Sequence, residues 1–163
     1  MPADHATHGY GLKADFERRT AGIWPLNIGQ VYTTLARLER DGLVRKETSE
    51  DQHHTWRLTD AGRAQLSQWY AAPVVADPPE RDELAIKVLI AAATASEDVL
   101  GILQRQREAT MLRLQTLTRH KVQADLDRDL AWLLLLDALV LKADAELRWL
   151  DLCEARLRAR QSR

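Results

Sequence analysis

Cysteine is almost absent from this chain. Cys153 is the only one in 163 residues, so no disulfide can close within the chain, and a reducing, cytoplasmic setting is the expectation. The opening residues show no basic stretch, apolar core and small-residue cleavage site in succession. Long apolar runs are missing too. The most apolar stretch, Leu130 to Leu141, is interrupted by Asp137 and falls short of the roughly 20 residues a bilayer crossing needs. It is expected to be buried against protein, and no membrane partner is expected. There is no excess of positive charge: 23 Lys and Arg face 24 Asp and Glu, a formal net charge of −1. Bulk charge therefore gives no reason to expect nucleic-acid binding, and any such binding must come from local geometry. With 7 Gly, 5 Pro and 45% hydrophobic residues, the composition is that of a folded chain rather than a disordered or collagen-like one.

The few helix breakers cluster at Gly22 to Pro25 and Pro73 to Pro79. The second cluster divides the chain into an expected head (1–72), a linker (73–81) and a helical module (82–163). In the head, Tyr10 to Arg19 can form a short helix with Leu12 and Phe16 on one face. Asn27 is the expected cap of a second helix and Gly42 its stop. Ile28, Val31, Leu35 and Leu38 then draw an apolar stripe for packing. Leu43 to Thr48 and His53 to Leu58, around a polar turn, have the pattern of a hairpin, and Thr59 caps a third helix running through Leu66 to Tyr70.

The other stripe of the second helix is polar. Gln30, Thr33, Thr34 and Arg37 fall at i, i+3, i+4 and i+7, all can donate hydrogen bonds, and no carboxylate interrupts them. A helix fits the major groove of a duplex, where Gln can bridge adenine, Arg can fork onto guanine and a Thr methyl can meet thymine. These side chains also suit an ordinary solvated face. The order helix, helix, hairpin favours the winged helix-turn-helix, and with it DNA.

Three blocks carry a resemblance to a known family: His8-Gly9-Tyr10-Gly11-Leu12; Asn27 to Leu38 with Asp41-Gly42-Leu43-Val44; and Arg57-Leu58-Thr59-Asp60-Ala61-Gly62-Arg63. In this order and spacing they resemble the PadR family of bacterial transcriptional regulators over about residues 8 to 70. The resemblance implies a mainly α fold, with a winged helix-turn-helix head, a small β-hairpin wing and a long-helix dimerisation domain. It also implies that Asn27 and Tyr32 lie at the DNA backbone and that Gln30, Thr33 and Arg37 make base or backbone contacts. Thr34 completes the stripe, and Arg45, Lys46 and Arg57 are the basic candidates of the wing. Two departures from the family pattern stand out. The family's apolar first helix is missing or shortened, since only Met1 to Thr7 precede the first block, and Asp51-Gln52-His53-His54 stands where relatives carry basic residues.

Residues 1–72 hold nine basic and nine acidic residues, so the head is neutral, and useful affinity is expected to come from pairing two heads on a palindromic operator. The second module offers the means. A helix starting at Ser96-Glu97-Asp98 carries Leu100, Leu103, Met111, Leu114 and Leu117, and a second runs from Asp125 to about Arg160, about 54 Å at 1.5 Å per residue. Its Leu126, Leu130, Leu133, Leu134, Val140, Leu141, Leu147 and Leu150 are the expected homodimer contacts, the alternative being a monomeric helical hairpin. The acidic run Asp125, Asp127 and Asp129 reads as favourable pairing with the helix dipole.

Trp69, Trp132 and Trp149 are candidates for a small aromatic effector's pocket or for packing. Trp132 and Trp149 lie 17 residues apart, so one helix cannot stack them. His5, His8, His53 and His54 do not amount to a zinc site, which needs four ligands, and neither metal nor cofactor is expected. No nucleophile-base pair or phosphate loop suggests an enzyme. The sequence thus points to a dimeric repressor released by an effector. The competing reading is a protein-binding winged-helix adaptor or a helical scaffold without DNA binding.

Overall fold

Asn27 begins the element on which the head is built. Its Oδ1 accepts from the backbone N–H of Gly29 (2.8 Å) and of Gln30 (3.4 Å), starting a helix at Ile28. The computed structural model describes residues 7–48, 54–75, 81–94 and 98–161. In chain order the head contains α1 (Gly9–Arg19), α2 (Ile28–Arg40), β1 (Val44–Thr48), β2 (His54–Leu58) and α3 (Asp60–Ala71). The expected shortening of the first family helix falls on Met1–Ala6, outside the described residues.

The turn between α1 and α2 is held by Glu17, whose carboxylate accepts from the Leu26 backbone N–H at 2.9 Å and pairs with Lys13. Those contacts, Lys13 first and the Leu26 amide second, keep the Glu17 carboxyl below its usual range. Helix α2 stops at Gly42, whose φ of 70° lies in the left-handed region where glycine carries no Cβ penalty. There Gly42 N–H donates to Glu39 O and Leu43 N–H to Leu38 O, so two carbonyls at the helix end are satisfied.

The hairpin follows directly, β1 pairing antiparallel with β2 in the register Val44 to Leu58, Arg45 to Arg57 and Lys46 to Trp56. Thr7 adds a single bridge to the far side of Trp56, with both backbone bonds at 3.1 Å. Thr59 ties the hairpin to α3: its side chain accepts from Gly62 N–H and its hydroxyl lies within donating distance of Gly42 O and Leu43 O. Gly62 is buried against this corner, and a Cβ there would stand 1.9 Å from the Leu43 carbonyl oxygen.

The second unit, from Ala76 on, contains among its described residues the helices α4 (Glu83–Thr94), α5 (Val99–Gln123) and α6 (Leu130–Gln161). Asp98 caps α5 by accepting from Gly101 N–H at 2.9 Å; Ser96 and Glu97 lie outside the described residues. Helix α6 begins at Leu130, not at Asp125 as expected, which makes it about 48 Å long. Residues 125–129 form a turn instead. Asp125 Oδ1 accepts from Asp127 and Arg128 N–H, and Asp129 Oδ2 from Asp125 N–H, so these carboxylates satisfy the turn's own backbone rather than the first turn of a longer helix.

α5 and α6 pack along two apolar clusters. Val88, Leu103 and Leu150 form one; Leu117, Leu136 and Leu139 form the other, with Trp132 against it. Leu103, Leu136 and Leu150 are fully enclosed, each side chain contributing about 1.5–3 kcal/mol by leaving water. A polar group also crosses from α5 to α6: Glu146 Oε1 accepts from Gln106 Nε2 at 2.8 Å and from the Thr110 hydroxyl, and Thr110 is buried. Cys153, half-buried, packs against the first cluster, and burial pushes its thiol pKa up, which lowers its thiolate fraction.

Candidate nucleic-acid interface

Helix α2 has one buried residue, Leu35, and half-buried Val31 and Leu38 on the same side. Gln30, Thr33, Thr34 and Arg37 are all exposed on the neighbouring side. They border an open groove of about 660 Å³ whose apolar wall is formed by Leu12, Leu26, Val31, Leu35 and Leu38. The Thr33 hydroxyl donates to Gly29 O at 2.8 Å, so its proton is used within the helix and its methyl and lone pairs face outward chemistry.

Arg37 differs from most basic residues of the head. Lys13, Arg18, Arg19, Arg40, Arg45, Arg57 and Arg63 each contact a carboxylate. Among the described residues Arg37 has no such partner, and neither has Lys46, whose ammonium sits 6.0 Å over the Trp56 ring. An uncommitted guanidinium gives up no internal ion pair when it meets a phosphate or a guanine edge.

Two other expected site residues also carry structural contacts. The Asn27 oxygen is occupied as the α2 cap, which leaves only its amide donors for a ligand. The Tyr32 ring lies over Gly9, where a Cβ would be 2.7 Å from Cε1, and 5.8 Å from the Trp56 ring. Tyr32 therefore joins α1, α2 and the wing, while remaining 44% exposed.

Strand alternation divides the three basic wing candidates. Lys46 shares a face with Trp56, Val44 and Leu58, whereas Arg45 and Arg57 are paired residues of the opposite face. Glu47 lies between those two arginines, its Oε1 3.0 Å from Arg45 Nε and 3.1 Å from Arg57 Nε. The Arg57 bond is the larger cause, and Arg45 a smaller one, of a Glu47 carboxyl held below its usual range. Glu47 went unnoticed in the sequence, although its spacing of two from Arg45 was the available signal.

The leucines expected at a dimer contact also divide. Leu126, Leu130, Leu134 and Leu141 are exposed, Leu133 is half-buried, and Val140 packs against the Leu117, Leu136 and Leu139 cluster. Leu150 is completely enclosed by its own chain and Leu147 packs beside it, so both belong to the internal core. Within the second unit Trp132 and Trp149 belong to different clusters, Trp132 lying edge-on to His120; in the head Trp69 is exposed beside Tyr70.

Two helices, the second presenting a polar face, followed by a paired hairpin and a third helix, define the winged helix-turn-helix class. Residues 2–68 match the transcriptional regulator PadR-like family, and residues 80–158 match the virulence activator alpha C-terminal family. The head is thus similar to the PadR-like family of transcriptional regulators over residues 2–68. A probable transcriptional regulator of Mycobacterium tuberculosis, Rv1176c, is 30% identical over 82 residues, which are 48% of this chain and 43% of that protein.

Solved structures of two regulators, among others, share the fold. Bacillus subtilis PadR in complex with operator DNA matches with a TM-score of 0.70 at 17% identity, over 93% of this chain and 90% of that one. The Vibrio cholerae virulence activator AphA matches with a TM-score of 0.67 at 23% identity, over 95% and 92%. PadR has also been solved in complex with p-coumaric acid, with a TM-score of 0.73 at 18% identity over 93% and 90%.

Proposed function

We propose that this protein is a dimeric transcriptional repressor that sets α2 into the major groove at each half of a palindromic operator and leaves it when a small aromatic effector binds. The observation that carries the reading is the exposed face of α2, where Arg37 stands without a carboxylate partner among the described residues, in line with Gln30, Thr33 and Thr34. The operator complex of the PadR neighbour supports the same use of this fold.

Pairing is supported by α6, which is apolar on two opposite sides. Leu136, Leu139, Ala143 and Leu150 point into the chain's own core, while Leu130, Leu134 and Leu141 project from the other side within about 40° of one another. An apolar stripe that its own chain leaves uncovered is suited to cover by a second copy. The effector is supported by the p-coumaric acid complex of PadR and by a cleft of about 500 Å³ between α4 and α5. That cleft combines apolar Leu84 and Ile102 with Arg105, Gln106 and the Glu83–Lys87 ion pair, a lining that offers both apolar and polar surface to a small molecule.

Fluorescence anisotropy on a selected duplex and on a random one, across a salt series, tests the DNA reading. Binding is expected to weaken steeply with salt through counterion release, and Arg37→Ala to cost about 1–3 kcal/mol of preference for the selected sequence. Salt-insensitive or sequence-blind behaviour would favour the protein-binding adaptor.

A further inference from the structure

The wing carries a carboxylate where a DNA-binding surface gains from having none. Arg45 and Arg57 are Cα partners in the hairpin, and Glu47, two residues along the strand, projects from the same face. Its carboxylate takes the Nε of both: Oε1 lies 3.0 Å from Arg45 and 3.1 Å from Arg57, with Oε2 3.3 Å from Arg57. The Arg45 side chain is 64% exposed and those of Arg57 and Glu47 about a third, so the group sits at the surface, where a duplex can reach it. Carboxylate and phosphate offer a guanidinium similar paired oxygens.

Resting on the DNA-binding reading above, we infer that Glu47 is a specificity-determining residue: it occupies the two wing arginines in place of a DNA phosphate and must be displaced for them to grip the backbone. Two consequences follow from the charges. The trio presents one net positive charge to a duplex instead of two, so the wing's sequence-independent attraction is weakened. A larger share of affinity then rests on the base-facing side chains of α2, because backbone contacts carry no sequence information. Glu47 also holds both arginines close together in the free protein, which reduces the ordering they undergo on meeting phosphate.

The test is binding of a random-sequence duplex across a salt series by the wild type, Glu47→Gln, Arg45→Ala/Arg57→Ala and the triple variant that combines them. Gln keeps the shape of Glu and can still accept a hydrogen bond, and thermal melts check that each variant folds. Glu47→Gln is expected to bind random duplex about 5-fold tighter near physiological salt, with a salt slope steeper by about one, close to the 0.9 expected per additional phosphate neutralised. In the double-alanine background the same substitution should change affinity little. Glu39→Gln, which removes a carboxylate that has no ion pair among the described residues, should also act weakly.

Equal strengthening in both backgrounds would reduce the effect to bulk charge and overturn the inference. So would unchanged or weaker binding by Glu47→Gln, since the arginines would then need Glu47 in the bound state. A wild type that binds no duplex in a salt-dependent way would overturn the DNA reading itself, and that result is visible before any variant is compared.

Discussion

Replacing Leu134 and Leu141 together by Glu is expected to give a folded monomer that binds its duplex at least about 100-fold more weakly than the wild type. Both side chains are more than 60% exposed on α6, so charge there disturbs neither of the clusters that hold α5 to α6. In a dimer the same two positions would set four carboxylates into an apolar contact, where an unpaired charge costs far more than at the surface. The large loss in DNA binding follows from a different quantity. Once one head is bound, its partner meets the second half-site at high effective concentration, and a monomer loses that advantage even with every DNA-facing side chain intact. Sedimentation velocity reads the first effect and anisotropy the second. A variant that remains dimeric would move the interface to another face.

Gly62→Ala is expected to unfold the head while leaving the second unit helical, with a destabilisation of about 3 kcal/mol or more. The added methyl would stand 1.9 Å from the Leu43 carbonyl oxygen, a backbone atom that no side-chain rotation can move aside. That carbonyl already accepts from Thr59 N–H at 3.1 Å, and the Thr59 side chain in turn accepts from Gly62 N–H at 3.0 Å. Relieving the overlap would thus require α3 to withdraw from the end of α2 and the start of β1 together. The urea transition followed by the head's tryptophan fluorescence should shift to much lower denaturant. Far-ultraviolet circular dichroism should keep the contribution of α5 and α6, whose core lies among their own leucines.

How far the fold was legible depended on what ended each element. In the head, each boundary carries its own chemistry. Asn27 and Thr59 have side chains that accept the first amides of a helix, Gly42 can take a left-handed turn, and a run of polar residues in the sequence separates two alternating strands. These are short-range effects and can be read one residue at a time. The turn before α6 offered no such sign, since no Gly or Pro interrupts residues 125–129. Aspartates there close a turn through their side chains, a role that requires knowing which amides lie nearby. The division of α6 was hidden for another reason. When leucines occupy both sides of a helix, periodicity marks neither as inner, and only the structure separates enclosed Leu150 from exposed Leu141.

The candidate interface was legible in the same uneven way. The face of Gln30, Thr33, Thr34 and Arg37 follows from helical spacing alone, and the structure leaves all four exposed. Charge state did not follow from spacing. Arg45 and Arg57 stand in the sequence only as basic candidates of the wing, because the contact of Arg57 with Glu47 depends on the hairpin register that brings residues ten positions apart together. Tyr32 likewise joins Gly9 and Trp56 only in three dimensions, and those contacts give it a packing task beside the DNA contact that the family resemblance implies.

Hydroxyl-radical footprinting, on a duplex that the purified protein has itself selected from random sequence, tests the paired entry of α2 most directly. Two protected patches on one side of the duplex are expected, centred about 34 Å apart, both fading when Gln30 and Arg37 are replaced by Ala. A single patch, or protection that persists without those two side chains, would contradict paired entry.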